Sequence, residues 1–187
     1  MTFFDLGGMI EKNAAAGLVE DIMGIAYERV EPAHIGDLKE IYNHYVLNST
    51  ATFHYEPRTD ADMTEMLIQH DPEYLSEAFL IRWDGEIAGY GYFAPYKKRE
   101  AYKCSSEVTL YLKEGFTGRG IGPQTLSMME ERAKDAGMHT LLSVICGENT
   151  ASIRLFEKAG YDKCAHLKEV GKKFGRLLDV VMYQKML

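Results

Sequence analysis

Cysteine is scarce in this chain. Cys104, Cys146 and Cys164 are odd in number and far apart. They lack the short paired spacing of a zinc site and do not make a disulfide framework, so a reducing, cytoplasmic setting is the simplest account. The six histidines stand singly, and no metal site is expected. No apolar run approaches the roughly 18 residues needed to span a bilayer. No basic segment precedes an apolar run at the N-terminus, so no secretory leader is read there. Cationic charge is short as well: 21 Lys and Arg stand against 28 Asp and Glu, a net charge of −7. Non-specific nucleic-acid binding rests on excess Lys and Arg neutralising phosphates, so this balance argues against it. No repeat or low-complexity segment is present. What remains is an ordinary soluble composition, 46% hydrophobic and 26% charged over 187 residues. That suits one domain with one sizeable core.

Residues 1–24 do not match the rest of the chain. Phe3, Phe4, Leu6, Met9 and Ile10 are apolar around Gly7-Gly8, and 13–22 has helical spacing with Leu18, Val19 and Ile22 on one side. The segment is read as an N-terminal extension: a loose appendage, a start assigned too early, or an arm on a neighbouring subunit. The domain proper is read over 25–187. It opens with a strand over 25–30 closed by Pro32. A helical stripe of Leu38, Ile41, Tyr42, Tyr45 and Val46 comes next, then a loop over 48–57 holding Phe53, His54 and Tyr55. Those aromatics either wall a pocket or form the loop's own small core. A second helix is expected over 60–70. Strands over 79–83 and 86–95 flank Asp84-Gly85, a strong hairpin signal. Gly89 and Gly91 inside the second of these imply a bulge or a close backbone approach. A basic loop, Lys97-Lys98-Arg99, then runs into Ala101-Tyr102.

The densest signal lies over 107–137. Val108, Leu110 and Leu112 alternate with Glu107, Thr109 and Tyr111, the period of a strand. Gly118, Gly120 and Gly122 then allow a tight turn. From Ile121 the apolar spacing is helical, through Leu126, Met129, Ala133 and Ala136. A glycine turn at a helix N-terminus presents free N–H groups and a positive dipole end, which suits a phosphate or pyrophosphate. After it come a buried-type strand over 141–145, a helix over 150–159 stopped by Gly160, and two strands over 161–170 and 177–187. The sum is an α/β chain with a mixed sheet. The strand–helix–strand unit over 107–145 favours a parallel pair.

Gly118-Arg119-Gly120-Ile121-Gly122, with Asn149-Thr-Ala-Ser152 and the stretch from Leu155 to Tyr161, resembles the acetyl-CoA-binding core of the GCN5-related N-acetyltransferases (GNAT). Ile41 to His44, Ser49 to Phe53, Gly89-Tyr90, Ala94 to Tyr96, Arg99, Ala101-Tyr102, Glu107, Gly171 to Gly175 and Asp179 resemble the phosphinothricin acetyltransferase branch. The resemblance covers about residue 25 to the C-terminus. It implies a mixed, mostly antiparallel sheet with a central parallel strand pair flanked by helices, acetyl-CoA as cosubstrate, no metal, and a homodimer. Leu110, Tyr111 and Leu112 should pair with the pantetheine arm. Gly118, Arg119, Gly120, Ile121, Gly122 and Pro123 should cradle the pyrophosphate, with Asn149 and Ser152 contributing from the next helix. Glu107 should be the general base on the amine, and Phe53, Arg99 and Tyr102 should line the acceptor site. The implied acceptors are small amino acids of the phosphinothricin, methionine sulfoximine or methionine sulfone type.

Two positions depart from the family pattern. Thr117 stands where the glycine loop usually opens with Gln or Arg. Phe156 stands where Tyr, or His in this branch, serves as acid for the leaving thiolate, and Phe cannot donate a proton. Two other readings stay open: an acetyltransferase acting on protein N-termini or lysines, and a weakly catalytic CoA-binding regulatory module.

Overall fold

The computed structural model describes residues 18–22, 24–69 and 72–187. β1 (Leu18–Ile22) and β2 (Ile25–Arg29) precede α1 (Ile35–Asn48) and α2 (Asp60–Leu67). Then come β3 (Ala78–Trp83), β4 (Glu86–Pro95), β5 (Ser105–Leu112), α3 (Ile121–Asp135), β6 (Thr140–Cys146), α4 (Thr150–Lys158), β7 (Asp162–Lys173) and β8 (Arg176–Met186). The strands form one eight-stranded sheet in the order β1-β2-β3-β4-β5-β6-β8-β7. Every neighbouring pair is antiparallel except the central pair β5–β6, which is parallel. Parallel neighbours need a crossover, and α3 is that crossover. The mixed, mostly antiparallel sheet is therefore present.

The helices cover both faces. On one, Phe79, Ile81, Phe93 and Val108 pack with Ile121, Leu126, Met129 and Ala133 of α3 and Phe156 of α4. On the other, Ala78, Leu80, Tyr90 and Tyr111 pack with Leu38, Ile41, Tyr42 and Val46 of α1 and Met63 and Leu67 of α2. Successive strand residues point to opposite faces. That is why the middle of β3 is apolar without interruption: both of its faces are covered. On β5 the same alternation turns Glu107, Thr109 and Tyr111 to the α1 face and Val108, Leu110 and Leu112 to the α3 face.

The helix expected over 13–22 fails where it is described. Leu18–Ile22 is a strand paired antiparallel with β2. A lone short helix is marginal in water. The open edge of β2 offers unpaired N–H and C=O groups that a five-residue segment can satisfy at once. Residues 1–17 lie outside the described residues. The second helix ends at Leu67, short of the expected 70. The Asp84-Gly85 hairpin forms, both residues taking positive φ (49° and 84°), as a type I′ turn requires. Both expectations for the β4 glycines hold. The β3–β4 register shifts beside Gly89. A Cβ on Gly89 would stand 2.2 Å from the Tyr111 carbonyl oxygen, and one on Gly91 would stand 2.9 Å from Met129 Sδ.

Candidate active site

The parallel strands share only three rungs, Ser105↔Thr140, Ser106↔Leu141 and Glu107↔Leu142. Beyond Glu107 they part. β5 stays with β4 as far as Leu112, and β6 stays with β8 as far as Cys146. The split opens a cavity of ≈ 820 Å³, walled by 108–112 on one side and 143–146 on the other. Lys113 N–H donates to the Ala88 carbonyl at 2.8 Å. Alternation therefore aims the backbone groups of Thr109 and Tyr111 at β4 and those of Leu110 and Leu112 into the split. The Leu112 carbonyl accepts from the Tyr45 hydroxyl at 2.6 Å. Leu110 faces the place of a missing strand, where an extended ligand bearing amides can pair.

At one end of the split stands the N-terminus of α3. Its N-cap, Gly120, has φ 83°, a left-handed conformation that glycine adopts without steric cost. The amides of the first helical turn have no intrahelical acceptor, and no acidic residue occupies that turn. Gly118, Gly120, Gly122 and Pro123 line the cavity. Ile121 does not: it is fully buried in the core and offers a ligand only its backbone. The Arg119 guanidinium lies over the Phe116 ring at 5.1 Å and is also outside the lining. Asn149 caps α4, its side-chain oxygen accepting from Ser152 N–H at 3.2 Å, and both residues line the cavity. Arg154 and Lys158, which the sequence patterns did not single out, bring two cations to the same wall.

Glu107 sits where the split begins, half-buried, on the α1 face. Burial pushes its carboxyl above the usual carboxylate range, and no cation pairs with it among the described residues. Tyr92 lines the cavity close by, bonded to Thr109, its phenol pushed up by burial and by the Glu107 charge. Phe53 also lines the cavity. Its ring packs against Gly171, where a Cβ would come within 2.2 Å of Cε1. Thr52 Oγ1 and His54 Nδ1 meet the Tyr42 hydroxyl at 2.8 and 2.6 Å. By their local patterns Tyr42 and Tyr45 are legible in the sequence as helical-stripe residues, Thr52 as a loop residue and Tyr92 as a strand residue, although all four line the cavity. Arg99 and Tyr102 do not line it. They occupy the exposed turn between β4 and β5, where Tyr102 packs edge-on against Tyr96 at 5.6 Å and Lys97 lies over both rings. Phe156 is a cavity wall residue, buried edge-on against Tyr161 at 5.0 Å.

The model of the acetyltransferase (GNAT) family matches residues 38–161. The chain belongs to the GNAT acetyltransferase family. The phosphinothricin N-acetyltransferase of Streptomyces coelicolor is 34% identical over 169 residues, 88% of this chain and 99% of that one. The L-methionine sulfoximine/L-methionine sulfone acetyltransferase of Salmonella typhimurium is 30% identical over 159 residues, 84% of this chain and 91% of that one. Among solved structures, a GNAT superfamily phosphinothricin acetyltransferase from Sinorhizobium meliloti, in complex with acetyl-CoA, superposes with a TM-score of 0.80 at 28% identity. That match covers 88% of this chain and 89% of that one.

As a GNAT acetyltransferase the protein uses acetyl-CoA, and its residues fit that molecule. The long split suits a thin extended arm. The Leu110 backbone suits the arm's amides, and the bare glycine turn at the α3 N-terminus suits a pyrophosphate. Among the described residues no three His, Cys, Asp or Glu come together as metal ligands, and no helix is long and apolar enough to cross a membrane.

Proposed function

We propose that this acetyltransferase acetylates the amino group of a small amino acid whose side chain ends in a phosphinate, sulfoximine or sulfone, with Glu107 as general base. The observation that carries the reading is Glu107 itself. It is a half-buried carboxylate with a raised pKa and no counter-ion among the described residues, on the last rung before the strands part. An amine attacks a thioester only when neutral. Glu107 removes its proton, directly or through one water, an effect worth roughly 10²–10⁴ in rate. The Leu110 N–H meets the negative charge that develops on the thioester oxygen, worth roughly 10²–10³ for one donor. As nitrogen bonds to the acetyl carbon the carbon–sulfur bond breaks. The CoA thiol is acidic enough that its thiolate departs without a protein acid, and the thiolate then takes up, directly or through water, the second proton that the nitrogen loses on becoming an amide. Phe156→His should therefore leave kcat within about threefold. A much larger rise would mean that thiolate departure limits turnover.

The acceptor lies between Glu107 and the wall of Phe53, Thr52 and Tyr42. Arg99 and Tyr102, on the turn at the Glu107 end of β5, close over it, the guanidinium taking two acceptor oxygens at once. Arg99→Ala should raise the acceptor KM far more than the acetyl-CoA KM; equal rises would make Arg99 structural. The protein works as a cytoplasmic homodimer. Val170, Phe174 and Leu177 on the β7–β8 hairpin are 59%, 54% and 57% exposed, an apolar surface that a second copy would cover. Sizing the protein with and without residues 1–24 tests whether the extension contributes.

The acceptor reading is tested by thiol release from acetyl-CoA against methionine sulfone, methionine sulfoximine, phosphinothricin, ordinary amino acids and peptides. Release should be fastest with the first three. Faster release with peptides, or tight CoA binding with no release, would overturn the reading.

A further inference from the structure

Lys173 ends β7, and it is the one lysine or arginine among the described residues that is buried, with 3% of its surface exposed. No carboxylate pairs with it among those residues, and Cys146 and His54 are titratable groups its charge reaches. Instead its ammonium donates to the carbonyls of Ser49 and Thr52, each at 2.7 Å, and lies over the Phe174 ring at 5.1 Å. A buried cation without a counter-ion is costly, and burial pushes this one's pKa down. Two strong charge-assisted hydrogen bonds offset part of that cost. The remainder has to be explained by what the charge does.

The contacts of Lys173 converge on one place. Thr52 and Cys146 line the cavity. Two residues earlier, Gly171 supports the Phe53 ring. Thr52 in turn bonds the Tyr42 hydroxyl. The ammonium therefore stands one residue behind the part of the cavity wall formed by Thr52, holding that wall by its backbone. A charge shielded from water in this way is little screened and acts across several ångströms.

We infer that Lys173 is a positioning and specificity residue for the acceptor: it clamps the 49–53 turn that sets Thr52 and Phe53, and its fixed charge favours acceptors that carry a carboxylate. The inference rests on the amino-acid acceptor reading above. It predicts discrimination between an acceptor with an ionised carboxylate and the same acceptor with a neutral end.

The test compares methionine sulfone with its carboxamide on the full chain, in the wild type, Lys173→Met and Lys173→Gln. Lys173→Met should raise the methionine sulfone KM about tenfold, keep the acetyl-CoA KM within about twofold, and remove most of the preference for carboxylate over carboxamide. Lys173→Gln restores a carbonyl hydrogen bond without the charge, so it should recover part of the rise in methionine sulfone KM but not the preference. Calorimetric acetyl-CoA binding reports whether each variant is folded. An unchanged carboxylate preference in the variants would overturn the inference while leaving the acceptor reading intact. A parallel loss of acetyl-CoA binding in both variants would also overturn it, making Lys173 a residue of the fold alone. A wild type that turns over neither acceptor would sink the acceptor reading, and this inference with it.

Discussion

Glu107→Gln should lower kcat by roughly 10²–10⁴ while leaving the Kd for acetyl-CoA within about twofold. The substitution keeps size and shape but removes the basic oxygen. It leaves untouched the Leu110 backbone and the α3 N-terminus, on which the cofactor reading rests. The pH profile gives a second check. The base works only when ionised, so kcat/KM for the acceptor should fall as the solution is acidified through the Glu107 pKa. Burial raises that pKa from its ordinary 4.5, so the acid limb should lie above where a solvated glutamate would put it. In the Gln variant that limb should vanish. Stopped-flow thiol release and calorimetry measure both quantities. Near-normal turnover in the variant would contradict the assignment of Glu107 as the base.

The second large effect is structural, with a functional consequence. Gly89→Ala should destabilise the fold by about 3 kcal/mol or more and weaken acetyl-CoA binding in whatever remains folded. The added Cβ would lie 2.2 Å from the Tyr111 carbonyl oxygen and 2.9 Å from Leu112 Cα. Those are backbone atoms of β5, the strand that faces the split, and they cannot yield without breaking the β4–β5 ladder. Gly91→Ala makes an instructive control. Its Cβ would meet Met129 Sδ at 2.9 Å, and that flexible thioether can move aside. Its cost should be clearly smaller. Urea unfolding of the two variants tests the contrast, and equal midpoints would contradict it.

The frame is legible in the sequence because it rests on local chemistry. Alternation over 107–112, glycines at 118 and 120, and helical spacing after Ile121 each have one simple structural solution. The parallel pair is dictated by strand, helix and strand in that order. Gly89 and Gly91 are marked by being glycines inside a strand. Other parts depend on contacts between distant segments. The edge strand at Leu18–Ile22 forms because β2 has a free edge, which no property of residues 18–22 announces. Tyr42 and Tyr45 read as core residues of a helical stripe, and so they are; only the split in the sheet makes their hydroxyls part of a cavity. Lys173 falls in the sequence between the two final strands, yet it is buried because its ammonium reaches back 121 residues in the chain to Thr52. Arg99 and Tyr102 are singled out by resemblance, and they stand on an exposed turn instead of in the cavity wall. The acceptor side is assembled from residues far apart in the chain, so it is the least legible.

The central claim is that the split between β5 and β6 brings thioester and amine together beside Glu107. The measurement that tests it most directly is a crystal structure of the protein with CoA and methionine sulfone bound together. The account predicts the CoA sulfur in the split beside Leu110, and the acceptor nitrogen within about 2.6–3.2 Å of the Glu107 carboxylate or one water away from it. An acceptor whose nitrogen lies beyond the reach of Glu107, or a CoA arm outside the split, would contradict it.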